Sequence, residues 1–297
     1  VCTFGNTPAE NTFKNGAGLL TLSGKTDVPL IQGAVQPYKQ HPIETETVSA
    51  GDFVGENGLL GIELPVDEKL ADTAVSGGDL SDRIDRIVKL IKEAGPLTYI
   101  ITGPCATFAH VLDALGEDAS TYIEKVIIMG GALDVPGNHG PINPETNESY
   151  AEFNFYCDPH AAQKVVTSGL DIELVMWDLT QDIVLPYEEL SKLEGGGAIG
   201  AFTYELMSNF FRDYGLEHGR SFEFNDVVTL YTSIQEAELL TECVDVVVEG
   251  EAAGKLQRSA TGGDVRVLSL PVNVSAELPY KILEGLSVRE PLQKTGS

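Results

Sequence analysis

Residues 97–131 read LTYIITGPCATFAHVLDALGEDASTYIEKVIIMGG, and this stretch decides the fold. It begins with a short apolar run that ends at Gly103-Pro104, which is typical of a buried strand followed by a turn. Apolar side chains then recur at helical spacing over residues 108–115, and Gly116 marks the end of that helix. Residues 126–129 form a second apolar run, so the stretch predicts the order strand, helix, strand.

The same alternation continues on both sides of this unit. Residues 82–93 carry Ile and Val at helical spacing, and Asp158-Pro159 is typical of the start of a helix that ends at Gly169. A further apolar run over 172–177 predicts another strand. This order predicts an α/β fold with an open, mostly parallel, Rossmann-like sheet and helices on both faces. In such a sheet, ligands bind beyond the C-terminal ends of the strands.

The last third of the chain has a different pattern. Residues 198–212 are predicted to be helical and are rich in Phe and Tyr. Residues 244–248 and 265–268 predict a small pair of strands around a polar, Gly-rich loop, and residues 275–286 predict a last helix. Because no internal repeat or low-complexity linker interrupts the chain, we expect one domain over residues 1–297.

The composition indicates an acidic globular protein and argues against two classes of partner. The 297 residues carry 45 acidic and 19 basic side chains, a formal net charge of −26, which argues against nucleic-acid binding. No apolar stretch reaches the roughly 18 residues of a membrane span, so we expect no membrane partner. The cysteines lack CxxC or zinc-ligand spacing and predict free thiols in a reducing, cytoplasmic compartment. They are Cys2, Cys105, Cys157 and Cys243.

Polar residues follow the predicted strands, where a ligand would bind. Gly5-Asn6 follows the first apolar segment, residues 103–106 follow the second, and the Asn-rich residues 130–154 follow the third. A fourth segment, Asn225-Asp226, stands just before an apolar helix. Converging amide and carboxylate side chains suit a ligand with several hydroxyl groups, such as a sugar. A carboxylate together with a loop carbonyl suits a hard cation.

Each of these features also has a purely structural interpretation. Gly-Pro after a strand is usually a turn, and Asn-rich loops are mostly solvated. Asn225-Asp226 is more often a helix cap than part of a metal site. Glu152 is harder to explain in this way, because it lies in an apolar run and a buried carboxylate needs a partner.

The joint order of these motifs resembles the nucleoside hydrolase family. MGGA at 129–132, Gly137-Asn138, AEFNFY at 151–156 and Asp158-Pro159 are similar to the central motif of that family. Further segments fall in the order of the family: VCTFGNTPAENTFKNGAGLL at 1–20, GENGLLG at 55–61, TGPCATFAHVL at 102–112, WDLT at 177–180 and NDVV at 225–228. The resemblance covers nearly the whole chain.

The resemblance implies a calcium ion in the site. Asp226 matches a calcium-binding aspartate, and Ala106 matches a residue that binds calcium through its backbone carbonyl. The family also has an N-terminal aspartate-rich strand and loop, which supplies most calcium carboxylates and the general base. This chain starts after that point, so no catalytic base can be named. Asn225 stands where the inosine-uridine type has a histidine that helps the base to leave, and an amide cannot give up a proton at neutral pH.

The resemblance also implies how a sugar is held. The residues that match ribose-binding positions are Asn138, Glu152 and Asn154, with Met129 lining the ribose pocket and Asn6 supporting the site. The stretch between Asn138 and Glu152 is longer than in compact members of the family. Asn143 or Asn147 is therefore an alternative to Asn138.

The implied activity is hydrolysis of the N-glycosidic bond of a ribonucleoside to free base and ribose, as in purine and pyrimidine salvage. Calcium would lower the pKa of a bound water, and an aspartate would take its proton. The resemblance further implies a homo-oligomer, a dimer or tetramer. Two alternatives stay open: a truncated or inactive homologue that binds nucleosides or sugars without turnover, and an unrelated α/β sugar-binding protein.

Overall fold

The computed structural model describes residues 1–42, 50–185, 187–234, 238–269 and 272–286. Its strands are β1 (Leu30–Ile31), β2 (Ala74–Val75), β3 (Leu97–Ile101), β4 (Ile123–Met129), β5 (Gly137–Asn143), β6 (Glu148–Ser149), β7 (Ile172–Val175), β8 (Val184–Leu185), β9 (Phe222–Glu223), β10 (Glu238–Val246), β11 (Leu256–Arg258) and β12 (Gly263–Ser269).

Its α-helices are α1 (Ala9–Leu22), α2 (Gly51–Val54), α3 (Leu80–Ala94), α4 (Ala106–Leu115), α5 (Ala119–Tyr122), α6 (Phe153–Cys157), α7 (Pro159–Val166), α8 (Trp177–Thr180), α9 (Gly197–Phe210), α10 (Leu216–His218), α11 (Asn225–Ser233) and α12 (Val272–Leu286). Short 3-10 helices cover Glu68–Asp72, Gly116–Asp118 and Tyr187–Leu193, and Phe211–Gly215 forms a π-helix. Within the described ranges, no helix has the length and apolarity needed to span a membrane.

A six-stranded sheet in the order β11-β10-β12-β7-β4-β3 forms the centre of the fold. Strands β3, β4, β7 and β12 run parallel, and β10 pairs antiparallel with both β12 and β11. The register places Val126 opposite Ile172 and Ile128 opposite Leu174. The predicted α/β fold with a mostly parallel sheet is confirmed.

Alternate residues of β4 enter two different cores, as the two-residue period of a strand requires. Val126 and Ile128 belong to a core that includes buried residues of α3, α4 and α7. Ile127 belongs to a second core with buried residues of α9, α11 and α12. Helices therefore cover both faces of the sheet, as the alternation of strands and helices predicts.

The C-terminal strands extend the central sheet, whereas the sequence predicts a separate small pair. β12 pairs in parallel with β7, where Val267 lies opposite Leu174. β10 then pairs with β12 from Glu238↔Ser269 to Val244↔Gly263. The physical reason is burial, because the apolar side chains of β10 and β12 enter the same core as those of β4.

Most other predicted elements agree with the structure, and the differences have local causes. β3 has the predicted bounds, and α3 and α12 begin slightly earlier than predicted. The strand predicted over 172–177 ends at Val175, because Trp177 already begins α8. The helix predicted over 198–212 ends at Phe210 and continues as the π-helix.

Residues 1–4, which have the sequence pattern of a strand interior, pair beside β1. The backbone N–H of Cys2 donates a hydrogen bond to the carbonyl of Ile31 at 2.9 Å, and that of Gly33 donates to the carbonyl of Cys2 at 2.6 Å. This pairing is a single parallel bridge between Cys2 and Gln32. The segment therefore lies beside the small β1–β2 sheet and not in the central sheet.

Candidate functional site

A cleft of about 730 Å³ opens beyond the carboxyl ends of the parallel strands. Thr102 follows β3, Met129 ends β4 and Trp177 follows β7, and all three line the cleft. Two groups of lining residues differ in chemistry, and we call them the polar part and the aromatic wall. The polar part comprises Asn6, Met129, Asn138, Glu152, Asn154, Asn225 and Asp226, and the aromatic wall comprises Phe53, Phe210, Tyr214, Phe222 and Phe224.

Glu152 is the most constrained member of the polar part. It is 2% exposed and precedes α6 as its N-cap residue. Its Oε1 accepts a hydrogen bond from the backbone N–H of Asn154 at 2.9 Å. Its Oε2 accepts from the N–H groups of Gly131 at 3.0 Å and Phe155 at 3.2 Å. Burial raises the pKa of Glu152 to about 6, although these three bonds favour the ionised form. The partner that this buried carboxylate needs is the backbone itself.

Asn154 connects α6 to the end of the central strand β4. Its side chain is largely buried, and Nδ2 donates to the carbonyl of Met129 at 3.1 Å. The same Nδ2 lies 3.3 Å from the Met129 sulfur. Both residues line the cleft. A ligand in the polar part would therefore meet an amide whose orientation is set by the strand end.

Asn138 and Asn6 are the exposed amides of the polar part. The Oδ1 of Asn138 accepts a hydrogen bond from the backbone N–H of Phe153 at 2.9 Å, which holds β5 next to α6. The backbone carbonyl of Asn6 accepts from the N–H of Ala50 at 3.0 Å, which places the segment before α2 at the cleft. Both side chains line the cleft, as the sequence predicts for loops after strands.

Asn143 and Asn147, the alternatives to Asn138, lie at the turn of the β5–β6 hairpin and are not among the described residues that line the cleft. The Oδ1 of Asn143 accepts from the backbone N–H of Glu145 at 3.0 Å. The N–H of Asn147 donates to the carbonyl of Asn143 at 2.8 Å, and Asn147 has a φ of 60°. Both side chains therefore belong to the turn, and Asn138 is the loop asparagine that reaches the cleft.

Asn225 and Asp226 form the first turn of α11. The Asp226 side chain is exposed to the cleft, but the cleft walls surround it. Burial and, to a smaller extent, the negative charge of Glu152 raise the pKa of Asp226 to about 7. The Oδ1 of Asn225 is buried and has no hydrogen-bond partner in the described part of the chain. A cation or a hydroxyl donor would satisfy this oxygen and the neighbouring carboxyl groups.

Ala106, the second predicted metal ligand, is not among the described residues that line the cleft. It begins α4, is fully buried, and packs in a small core with Phe4, Ala9 and Cys157. The structure therefore brings Asp226 to the cleft and leaves Ala106 behind its wall.

The described residues do not form a complete calcium site. No group of three or more His, Cys, Asp or Glu side chains able to hold a metal occurs among them. Calcium takes about six to eight oxygen ligands, whereas the cleft offers the Asp226 carboxyl and the Asn225 oxygen. Asp178, which also follows β7, accepts from the backbone N–H groups of Leu133 at 2.9 Å and Asp134 at 2.7 Å, and so stabilises a loop.

The aromatic wall joins segments that are far apart in the sequence. The ring centroid of Phe53 lies 5.1 Å from that of Phe210 and 5.4 Å from that of Tyr214, both edge-on. Phe210 also lies 5.3 Å from Phe222. Tyr214 belongs to the π-helix, a type of turn that is frequent at functional sites. The sequence shows that residues 198–212 are rich in Phe and Tyr, but only the fold shows that aromatic rings face a cleft.

Two basic side chains of the cleft are not among the candidate site residues named from the sequence. His139 of β5 packs edge-on against Phe153 at 4.9 Å, and burial lowers the pKa of its imidazole. Arg220 lines the cleft close to Tyr214, and its Nη2 lies 2.8 Å from Oε1 of Glu223. His139 lies within the Asn-rich stretch 130–154, whereas no sequence motif indicates Arg220, which reaches the cleft through tertiary packing.

The fold and the cleft together define a class of protein. It has an open α/β sheet, and the cleft at the carboxyl ends of the strands combines amide and carboxylate groups with an aromatic wall. Proteins of that class can bind a polyhydroxylated ligand that carries a flat ring. The chain belongs to the inosine-uridine preferring nucleoside hydrolase family, whose model matches residues 1–278. The resemblance seen in the sequence is confirmed.

Individual relatives agree with this assignment. The chain is 31% identical over 212 residues to the pyrimidine-specific ribonucleoside hydrolase RihA of Escherichia coli O139:H28, a match that covers 71% of this chain and 61% of that relative. The chain thus spans less than two thirds of that relative's length.

The fold is similar to two solved structures. One is the purine-preferring ribonucleoside hydrolase from Gardnerella vaginalis, with a TM-score of 0.80, 21% identity, and coverage of 96% of this chain and 89% of that one. The other is the inosine-uridine preferring nucleoside hydrolase from Bacillus anthracis, with a TM-score of 0.70, 15% identity, and coverage of 97% and 89%. At these identities, the likeness confirms the fold.

Proposed function

We propose that this chain hydrolyses the N-glycosidic bond of ribonucleosides and releases free base and ribose. The observation that carries the proposal is the joining of the polar part and the aromatic wall in one cleft. A ribose presents hydroxyl groups, which amides and carboxylates bind, and a nucleobase presents flat faces, which aromatic rings contact. Membership of the nucleoside hydrolase family supports the same activity.

In this proposal Glu152, Asn154 and Asn138 hold the ribose hydroxyls, Met129 lines the ribose pocket and Asn6 supports it. An ionised carboxylate has about four lone-pair sites. Because Glu152 already accepts three backbone hydrogen bonds, it has one site left for a ribose hydroxyl. Such a fixed acceptor orients the sugar before the reaction, which lowers the entropic part of the barrier.

The proposed reaction breaks the C1′–N bond through an oxocarbenium-like state, as in glycoside hydrolysis generally. The departing base takes the electron pair of that bond and must be stabilised as it leaves. Asn225, at the start of α11, has no proton to give at neutral pH. Its neutral amide can donate a hydrogen bond but carries no charge, so proton transfer or charge stabilisation for the departing base comes from another group in the cleft.

Membership of the family is consistent with a metal cofactor, and we propose that the ion is calcium, with Asp226 as its carboxylate ligand. The raised pKa of Asp226 and the unpartnered Asn225 oxygen support a cation at this place. The second proposed ligand is the backbone carbonyl of Ala106, whose side chain packs in the core at the start of α4. Because the described residues do not complete a calcium shell, we assign no step of the reaction to the metal.

Binding of nucleosides or sugars without turnover is the second candidate function. This candidate is favoured because two of the acidic side chains that line the cleft already have partners. Glu152 is engaged by backbone N–H groups, and Glu223 is paired with Arg220. Among the described lining residues, Asp226 is then the remaining carboxylate that could take a proton from water.

Turnover and binding can be separated in one experiment. The chain is incubated with inosine, uridine and adenosine, free base is measured by chromatography, and nucleoside binding is measured by calorimetry. We expect base release from the wild-type chain, and Asn154→Ala should lower kcat/KM about 100-fold through loss of sugar positioning. Asn147→Gly, at the hairpin turn outside the cleft, is the matched control and should keep normal turnover.

The outcomes separate the two candidates. Nucleoside binding without release of base would select the second candidate function. Neither binding nor release would contradict both candidates. Normal turnover in Asn154→Ala would show that this residue does not hold the ribose.

We also propose that residues 1–297 form one domain that works as a cytoplasmic homo-oligomer in purine and pyrimidine salvage. The cysteines in the described part of the chain are free thiols, which supports a reducing compartment. Val227 and Leu230 of α11 and Ile234, which directly follows that helix, are exposed apolar side chains, which supports an interface between copies. Sedimentation velocity tests the oligomer, and a purely monomeric chain would contradict this part of the proposal.

A further inference from the structure

One basic side chain stands in the cleft beside the aromatic wall. Among the lining residues that the structure describes, Arg220 is the single Lys or Arg. Its backbone N–H donates to the carbonyl of Gly215, the last residue of the π-helix, at 2.8 Å. The wall residue Tyr214 precedes Gly215, and the wall residue Phe222 lies two positions after Arg220. Arg220 therefore lies beside the aromatic wall, where it could reach the edge of a flat ligand.

Glu223 holds Arg220 in this place. The Nη2 atom of Arg220 lies 2.8 Å from Oε1 of Glu223, whose side chain is 9% exposed. Glu223 belongs to β9, where it pairs with Val184 of β8, so a strand carries this carboxylate. A guanidinium has five N–H donors, and one ion pair leaves donors for a ligand. Arg220 itself remains open to the cleft, with its side chain 45% exposed.

We propose that Arg220 selects the base of the nucleoside, favouring bases with a carbonyl oxygen at their edge, such as hypoxanthine, guanine and uracil, over adenine. Arginine only donates hydrogen bonds, and its planar fork matches the O6 and N7 acceptors of a 6-oxopurine. Adenine presents an amino donor in place of that oxygen, and a guanidinium has no acceptor for it. The inference rests on the proposed function, because it places a nucleobase against the aromatic wall.

The same contact supplies the stabilisation that Asn225 cannot provide. As the C1′–N bond breaks, its electron pair goes to the base nitrogen, the oxygen of water bonds to C1′, and one proton of that water ends on the base. Negative charge on the departing base spreads onto its carbonyl oxygen. A guanidinium beside that oxygen stabilises the charge without giving up a proton.

His139 is the other cleft side chain that could contact a departing base, and its position favours another role. It follows Asn138 on β5, in the part of the cleft proposed to hold the sugar. The rings of Phe153 and Tyr156 pack against its imidazole at 4.9 Å and 5.2 Å. Arg220, in contrast, borders the aromatic wall, so the observations favour Arg220 for the base.

The test uses Trp177, the single tryptophan of the chain, because it lines the cleft and its fluorescence reports occupancy. The full chain is titrated separately with ribose, hypoxanthine, uracil and adenine. We expect hypoxanthine to bind about tenfold more tightly than adenine, which is the size of one good bidentate contact. Uracil has no second acceptor beside its carbonyl oxygen, so its gain from Arg220 should be smaller. Arg220→Gln should reduce the preference for hypoxanthine to about twofold or less, and Arg220→Lys, which keeps the charge but loses the fork, should be intermediate.

Arg212→Gln is the matched control for the base titrations. Arg212 lies in the π-helix, pairs with Asp213, and is not among the described lining residues of the cleft. This variant should keep the wild-type preference. If Arg220→Gln keeps the wild-type ratio of hypoxanthine to adenine affinity, or if no base binds the wild-type chain, the inference is overturned.

The titration with ribose tests the proposed function separately from the inference about Arg220. If the bases bind in the expected order and ribose does not bind, the proposed function fails while the inference about Arg220 stands. If ribose binds and the preference among bases does not depend on Arg220, the inference about Arg220 fails while the proposed function stands.

Hydrolysis rates give a second readout for the departing base. p-Nitrophenolate leaves readily without stabilisation, so p-nitrophenyl β-D-ribofuranoside does not need Arg220. Arg220→Gln should lower kcat for inosine about 100-fold, the usual size for loss of one charge-stabilising donor. Its effect on the p-nitrophenyl riboside should be less than about threefold. Equal losses on both substrates would contradict a role of Arg220 in stabilising the departing base.

Discussion

The Oε2 atom of Glu152 accepts a hydrogen bond from the backbone N–H of Gly131 at 3.0 Å, across 21 residues of sequence. Gly131 follows the end of β4 and has a φ of 82°, in the left-handed region that favours glycine. The same carboxylate accepts from the first N–H groups of α6. One buried side chain thus ties the turn after the central strand to the helix that carries Asn154. Glu152 therefore supports the shape of the cleft as well as offering an acceptor to a ligand.

Glu152→Gln should lower the free energy of unfolding by about 2 kcal/mol. Glutamine has one acceptor oxygen, and its NH2 group would face backbone N–H donors that Glu152 now satisfies. Urea denaturation followed by circular dichroism measures the difference. Glu148→Gln, at an exposed position of β6, is the control and should change stability by less than about 0.5 kcal/mol. Equal midpoints for Glu152→Gln and wild type would show that these hydrogen bonds are not needed.

Gly131→Ala should destabilise the chain for two separable reasons. An alanine at φ 82° is strained by about 1–2 kcal/mol. The added Cβ would also lie 3.0 Å from the Leu256 side chain and 3.2 Å from the Phe155 ring. Gly169→Ala is the matched control, since Gly169 has a φ of 76° and nothing within 4 Å of an added Cβ. An equal loss of unfolding free energy in Gly131→Ala and Gly169→Ala would show that the crowding at Gly131 does not destabilise the chain.

Stability should fall as the pH rises from about 4 to 8 in the presence of EDTA, because three carboxyl groups have raised pKa values. Burial raises the pKa of Asp158 from 3.8 to about 6. The pKa of Asp226 is raised from 3.8 to about 7, and that of Glu152 from 4.5 to about 6. Each carboxyl group binds its proton more tightly in the folded chain, so its contribution is present below the ordinary pKa. The contribution is lost as the pH passes the raised value.

Asp226→Asn removes one of these charges and should reduce the loss of stability between pH 4 and pH 8. At pH 8 we expect its Tm to exceed that of wild type by about 2 °C. At pH 5 the difference should be smaller, because the contribution of the raised pKa is lost only in part between the ordinary pKa of 3.8 and pH 5. Thermal melts at both pH values measure this, with Asp27→Asn as an exposed control. A variant that gains nothing at pH 8 relative to pH 5 would contradict the raised pKa of Asp226.

Calcium should bind weakly, with a Kd of about 0.1–1 mM, because affinity depends on the number of charged ligands. The cleft offers the Asp226 carboxyl and the Asn225 oxygen to a cation. Isothermal titration with calcium chloride measures the affinity, and Asp226→Ala should abolish the heat signal. Asp213→Ala, which removes an exposed carboxyl outside the cleft, should leave it unchanged. Micromolar affinity in the wild-type chain would refute this expectation.

The order of strands and helices and most of the polar part of the cleft can be predicted from local patterns in the sequence. Strand β3 and helix α7 follow from apolar periodicity and from the Asp158-Pro159 start signal, which act over a few residues. The polar stretch 130–154 is predicted at the cleft because polar residues after parallel strands collect at one edge of the sheet. The resemblance to the family then points to Asn138, Glu152 and Asn154 within it. The need of Glu152 for a partner also followed from its apolar surroundings.

The partners of these residues, and the side chains that face them across the cleft, follow from the packing of distant segments. Phe53 meets Phe210, and Arg220 borders the same wall, although no local pattern relates these positions. The structure also puts Ala106 behind the cleft wall and adds β12 to the central sheet beside β7. These outcomes depend on how distant segments bury their apolar surfaces together. That free energy belongs to the packed chain as a whole, so the periodicity of a single segment cannot specify it.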